Sequence, residues 1–191
     1  MKRCRIIFSG SGGQGIITAA RTLAEAAAIH EGLNAVQSQS YGPEARGGAS
    51  RSDVIISDED ILFPKVTQPN VVVSLTQEAY NTYSSLIRPG GLLLTDRYYV
   101  RQEKKVDARQ VELEMYAEVL DKIGQSIVFN VCMLGALITL VPLVSRKSIV
   151  NVLETRIHAK FVEVNKQALA LGMNLAEDFK KQRGIVSIQL W

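Results

Sequence analysis

Arg5-Ile6-Ile7-Phe8-Ser9-Gly10-Ser11-Gly12-Gly13-Gln14-Gly15-Ile16 is the stretch on which the fold turns. A short apolar run enters a glycine cluster, and Ile16 to Glu31 then carries an alanine-rich pattern with Ile17, Leu23 and Ala27 on its inward side. The spacing predicts a strand, a tight turn and a helix. Gly10, Gly12 and Gly15 fit G-x-G-x-x-G in the setting that gives the pattern meaning, where backbone amides and a helix dipole can face an anion. The competing reading is purely structural: the glycines make the turn and let the helix pack close to the sheet. An acid for a ribose is expected about 20 residues further on, at the end of the second strand. Gln37, Ser38, Gln39 and Ser40 stand there instead, which argues against a nicotinamide dinucleotide.

Outward from the turn, Gly32 serves as a helix C-cap and Asn34 to Ser38 reads as the second strand. Ser50 to Ser57, Asn70 to Leu75 and Gly91 to Thr95 supply three more, with a helix over Gln77 to Ile87 and a Pro89-Gly90-Gly91 turn before the last strand. Strand, helix and strand in alternation predict an α/β fold: a doubly wound, mostly parallel sheet flanked by helices, in a Rossmann-like three-layer arrangement. Tyr98 to Arg109 is polar and is expected to be an excursion or a short edge hairpin. Helices are expected over Val111 to Ile123, Asn130 to Leu140 and Ser148 to Leu171, the last broken near His158. Asn130 suits an N-cap and Pro142 a stop. Residues 1–173 form one domain in this reading, and residues 174–191 a tail for which an interface strand, a packed arm and disorder all stay open.

Composition narrows the classes. The chain has 191 residues, 47% of them hydrophobic, enough for the core of one sizeable domain. A net charge of +3, dispersed along the chain, does not predict a nucleic-acid surface. Its two cysteines, Cys4 and Cys132, lie in apolar runs and read as buried thiols, too few for a disulfide framework or a four-ligand metal site. Met1 to Arg5 leads into the first strand without the apolar stretch of a secretory signal, and Ile127 to Val144 is interrupted by Asn130, Gly135, Thr139 and Pro142. A cytoplasmic protein with no membrane span is therefore expected.

The second informative segment is Ser40-Tyr41-Gly42-Pro43-Glu44-Ala45-Arg46-Gly47-Gly48, which can sustain neither a helix nor a buried strand. It reads as a shaped loop presenting Tyr41, Glu44 and Arg46 at the same edge of the sheet as the glycine turn, where ligands of open α/β sheets gather. An internal ion pair of Glu44 with Arg46 or Arg51 is the structural alternative. His30 and His158 lack metal-ligand spacing or a neighbouring nucleophile motif and read as cap or surface groups, and Asp58, Glu59 and Asp60 read as a solvated turn.

Gly12-Gly13-Gln14-Gly15 with its alanine-rich helix, Ser40 to Ser52, Pro69 to Thr76 with Gln77-Glu78-Ala79, the Pro89-Gly90-Gly91 turn, and Asn130 with Leu134-Gly135-Ala136 together resemble the gamma subunit of the 2-oxoacid:ferredoxin oxidoreductases. The resemblance covers Arg3 to Gly172, and the Tyr41 to Gly48 segment looks most like 2-oxoglutarate enzymes, less like those for pyruvate or branched-chain 2-oxoacids. It implies a complex that decarboxylates a 2-oxoacid on thiamine diphosphate with magnesium, passes electrons through iron-sulfur clusters to ferredoxin, and forms an acyl-coenzyme A. Those cofactors would sit on alpha and beta partner subunits, with a delta subunit in some complexes. This chain would hold no catalytic or metal-binding residue of its own. It would pack on the catalytic subunit and help position coenzyme A at the interface, through Gly10, Gly12, Gly13, Gln14, Gly15, Tyr41, Glu44 and Arg46. A free-standing nucleotide-binding protein, either a dinucleotide-dependent reductase or a sensor, is the alternative from another class.

Overall fold

The computed structural model describes residues 3–40, 50–103, 105–185 and 188. The chain runs β1 (Cys4–Gly10), α1 (Ile16–Glu25), a π-helical turn (Ala26–His30), β2 (Asn34–Ser40), β3 (Ser50–Ser57), β4 (Val71–Ser74), α2 (Gln77–Tyr83) with a 3-10 turn (Ser84–Leu86), and β5 (Gly91–Asp96). It continues through β6 (Ala108–Leu113), α3 (Met115–Lys122), a 3-10 turn (Ser126–Val128), α4 (Phe129–Leu140), α5 (Arg146–Arg156) and α6 (Ala159–Arg183). The strands form one sheet in the order β2-β3-β1-β4-β5-β6. β1, β4, β5 and β6 are parallel neighbours, whereas β3 runs antiparallel to both β1 and β2. Every strand except β3 therefore points the same way, and the sheet is mostly parallel with helices on both faces. β3 is reversed because only nine residues separate it from β2, too few for the dozen or more that a parallel crossover needs.

Alternation along each strand divides the core in two. Ile6, Phe8, Val54, Ile56, Val71, Val73, Leu92 and Leu94 meet α1, α3 and α4 on one face. Ile7, Ile55, Val72 and Leu93 meet Ala79, Tyr80 and Tyr83 of α2 on the other, where irregular chain fills the rest through Val66 and Val100. α4 is buried nearly all round, as a helix without a polar face must be. Its outer side is covered by α6, and the two backbones touch. A Cβ added at Gly135 would strike the Leu169 carbonyl, and one added at Gly172 the Cys132 carbonyl.

Of the two readings of the segment after Asp96 the excursion holds and the hairpin does not: it crosses the α2 face, with Val100 buried, and delivers β6 parallel to β5. Val111 to Leu113 accordingly belong to a strand, and the helix expected from Val111 begins at Met115. A six-residue edge strand in which only Val111 and Leu113 are buried was hidden by apolar spacing that continues into the helix. The expected break near His158 is present between α5 and α6, and α4 stops at Leu140, ahead of Pro142. α6 runs on across Asn174 to Arg183 and ends at Gly184 in the left-handed conformation.

Candidate functional site

α1 and α2 leave the carboxyl ends of neighbouring strands β1 and β4 for opposite faces of the sheet, which makes a crevice at that edge. The glycine turn occupies it. The Ser11 N–H donates to Gln14 Oε1 at 2.8 Å, and Gln14 Nε2 donates to the Leu75 carbonyl at 3.0 Å. One amide side chain thus closes the turn and ties it across the crevice to the residue after β4. Gly10 leaves room for this clasp, since a Cβ there would lie 2.5 Å from Gln14 Oε1.

The other side of the turn rests on α4. Asn130 Nδ2 donates to the Gly15 carbonyl at 3.2 Å, and Gly15 has φ +71, so a side chain there would be both strained and pressed against Asn130. Asn130 was expected to cap α4, but Val128 takes the cap position. Asn130 lies one residue inside the helix and braces the turn. Nothing local in the sequence announces that bond, which spans 115 residues.

Held on both sides, the turn leaves its middle free. Gly12 and Gly13 are exposed, and a Cβ added at either meets nothing within 4 Å. Beyond them lies a cavity of about 240 Å³ bounded by Ser11, Gly12, Gly13, Thr18 and Ser50. The backbone at the head of α1 is therefore open to a ligand's approach, and a phosphate or diphosphate is the chemistry such a helix terminus favours. In the sheet register Ser50 stands opposite Gly10 and Ser40 opposite Arg51, so both roots of the 41–49 segment lie at this edge. Tyr41, Glu44 and Arg46 themselves lie outside the described residues.

Arg51, considered above as a partner for Glu44, places its guanidinium on Asp53 at 2.6 and 2.8 Å, on the Val66 carbonyl at 2.9 Å, and over the Tyr83 ring at 5.3 Å. Further along the edge, Asp96 is fully buried and accepts the Tyr98 N–H at 3.0 Å and the Tyr116 N–H at 2.8 Å. Burial raises its pKa above the usual carboxylate range, against the pull of these amides. It ties the end of β5 to the start of α3, beside a cluster of Tyr98, Tyr99, Tyr116 and Phe129.

The remaining titratable residues have structural positions. His158 Nδ1 accepts the Lys160 N–H at the head of α6, and His30 ends the π-helical turn, exposed. Asp58, Glu59 and Asp60 are exposed. Cys4 and Cys132 are fully buried, and burial pushes each thiol up to about 12. Two thiols are also too few for the four cysteine ligands of an iron-sulfur cluster. Among the described residues no cluster of three metal-binding side chains occurs, and no helix is long and apolar enough to cross a membrane.

An open, mostly parallel sheet with a braced glycine turn at its crevice defines a Rossmann-like α/β domain. Residues 5–175 match the model of the pyruvate ferredoxin/flavodoxin oxidoreductase family, and the chain belongs to that family. It is 42% identical over 178 residues to the 2-oxoglutarate synthase subunit KorC of Methanocaldococcus jannaschii, covering 92% of this chain and 95% of that one. Among solved structures it is similar to the gamma subunit of a keto/oxoacid ferredoxin oxidoreductase from Geobacter sulfurreducens, with a TM-score of 0.84, 40% identity, and coverage of 92% and 99%. Its fold also matches part of the 2-oxoglutarate:ferredoxin oxidoreductase of Magnetococcus marinus, solved with 2-oxoglutarate, coenzyme A and succinyl-CoA bound. That likeness has a TM-score of 0.82 at 24% identity, and covers 93% of this chain but 32% of the other.

Proposed function

We propose that this chain is the gamma subunit of a 2-oxoglutarate:ferredoxin oxidoreductase, which forms succinyl-coenzyme A by oxidative decarboxylation, and that it works only inside the assembled complex. The likeness to KorC, nearly end to end in both chains, supports the substrate and the subunit. Thiamine diphosphate, magnesium and the iron-sulfur clusters belong in this reading to alpha and beta partners, with ferredoxin as the acceptor. The alternative of a free-standing dinucleotide enzyme is not favoured by these relatives.

The part left for this chain is to pack on the catalytic subunit and help position coenzyme A. One observation carries that role: the open backbone of Gly12 and Gly13, held at the crevice by Gln14 and Asn130. The diphosphate of coenzyme A suits those amides, and a phosphate suits a forked contact from Arg46. Gly10, Gly12, Gly13, Gln14 and Gly15 would shape the seat, and Tyr41, Glu44 and Arg46 would add side-chain contacts to the ligand.

The test is reconstitution. The chain alone should reduce no dye with any 2-oxoacid, and adding the alpha and beta subunits should give activity that prefers 2-oxoglutarate to pyruvate or branched-chain substrates. In that complex Gly12→Val should raise the KM for coenzyme A or weaken assembly. Arg46→Ala should cost about 1.5 to 3 kcal/mol in coenzyme A recognition, and Arg46→Lys less, because it keeps the charge but not the fork. Decarboxylation by the lone chain would overturn the subunit reading. Normal assembly and normal coenzyme A kinetics in both the Gly12 and Arg46 variants would overturn the coenzyme A role.

A further inference from the structure

Next to the glycine turn, on the side away from Ser50, α1, α4, α5 and α6 leave a groove of about 310 Å³. Gly13 and Gly15 form one end of it, and Val131, Leu153, Ile157 and Val164 form much of its floor. Its rim carries two large apolar side chains that the fold leaves uncovered, Ile127 at 82% exposure and Phe161 at 44%. No lining residue is ionisable. Its two buried asparagines already spend an amide donor within the chain: Asn130 Nδ2 on the Gly15 carbonyl and Asn165 Nδ2 on the Phe161 carbonyl. The Lys160 ammonium sits 4.7 Å from the Phe161 ring centroid, placing a charge close to the groove.

We infer that this groove is the socket in which an apolar side chain of the catalytic subunit is seated when the complex assembles. The inference rests on the gamma-subunit reading and names the surface it uses. A charged cofactor would find no counter-charge on these walls, whereas an aliphatic or aromatic anchor would shed water against walls that are mostly apolar, Thr18, Thr22 and the two asparagines apart. An uncharged pocket with charge close by is how the centre of a specific protein interface is built. The occupant is the catalytic subunit because in the Magnetococcus marinus oxidoreductase this fold makes up 32% of a longer polypeptide, so the rest of that enzyme is the partner the domain has there. The groove is also continuous, through Gly13 and Gly15, with the turn proposed to face that subunit. Seating the anchor there would set the glycine turn in register with the catalytic centre.

Ile127→Asp and Phe161→Asp place a charge on the rim at side chains exposed to water, so the lone chain should keep its melting temperature. Affinity for the purified catalytic subunit, measured by titration of one subunit with the other, should fall at least tenfold for each. Leu62→Asp is the control, changing a side chain that is 91% exposed and does not line the groove, and it should bind within twofold of wild type. Unimpaired binding by both rim variants, with wild type assembling normally, overturns the groove and leaves the subunit reading intact. An equal loss in the Leu62 control overturns it as well, because any added charge would then act alike. A coenzyme A-dependent rise in the lone chain's melting temperature that Ile127→Asp abolishes would make the groove a cofactor pocket and end the proposal. A wild-type chain that binds no catalytic subunit overturns the subunit reading, and the groove's role with it.

Discussion

Asn130 reaches from the first turn of α4 to the Gly15 carbonyl, 3.2 Å away, and fills the space a Gly15 side chain would need. Gly15→Ala therefore carries two penalties. A left-handed alanine costs about 1 to 2 kcal/mol, and contact of its Cβ with Asn130 at 2.7 to 3.0 Å adds to it. Asn130→Ala removes the hydrogen bond and also clears the space. The double variant should accordingly be more stable than the sum of the singles allows, by about 1 kcal/mol, in urea unfolding of the lone chain. Strict additivity would mean that the two residues do not meet.

Asp96 should report on acid stability. Asp96→Asn turns an amide NH₂ toward one of two buried N–H groups, Tyr98 or Tyr116, and should cost about 1 to 3 kcal/mol. The pH dependence has a definite sign. Burial raises the native pKa above the ordinary 3.8, so over a window opening near pH 3.8 and extending upward the folded chain holds a proton that the unfolded chain has lost. Wild-type stability relative to Asp96→Asn should therefore be greatest below that window and decline as pH rises through it. A difference that grows with pH would show that the amide hydrogen bonds outweigh burial.

The contact of α4 with α6 depends on Gly172. Alanine gains about 1 kcal/mol of helix propensity in isolation, yet here its Cβ would meet the Cys132 carbonyl. Forcing the helices apart should cost about 1 to 3 kcal/mol net, seen as a lower urea midpoint with an unchanged slope. A neutral or stabilised Gly172→Ala would refute the close approach.

Both thiols should be silent in the native chain. At pH 8 a colorimetric thiol reagent should label neither Cys4 nor Cys132 until denaturant is added, because each is buried with its pKa near 12. Between pH 9 and 12 the unfolded chain loses these protons while the folded chain keeps them. Each thiol then lowers stability by about 1.4 kcal/mol per pH unit. Cys4→Ala should flatten that alkaline fall relative to wild type, and an unchanged slope would show that Cys4 ionises freely in the fold.

Most of the architecture was legible because local pattern and tertiary role coincide in it. The run from Arg5 to Gly15 has the composition of a strand and a tight turn, Ser50 to Ser57 is a strand with those bounds, and Pro142 stands just past the end of its helix. Legibility failed where one pattern served two elements. Val111 and Leu113 continue the apolar spacing of α3, and only pairing with β5 reveals them as an edge strand. Asn130 has the residue type of a cap, but the partner that decides its role is far away in the chain.

Sequence by itself determined the elements other than the edge strand β6, the glycine turn and the family, because these depend on backbone propensity, on apolar period and on motifs contiguous in the chain. Tertiary structure alone decided that Gln14 turns inward to Leu75 and that Asn130 braces Gly15. It also decided that four helices leave an uncharged groove beside the turn. Each of these depends on groups brought together from distant parts of the chain by burial of the two sheet faces, and sequence spacing carries no record of that distance.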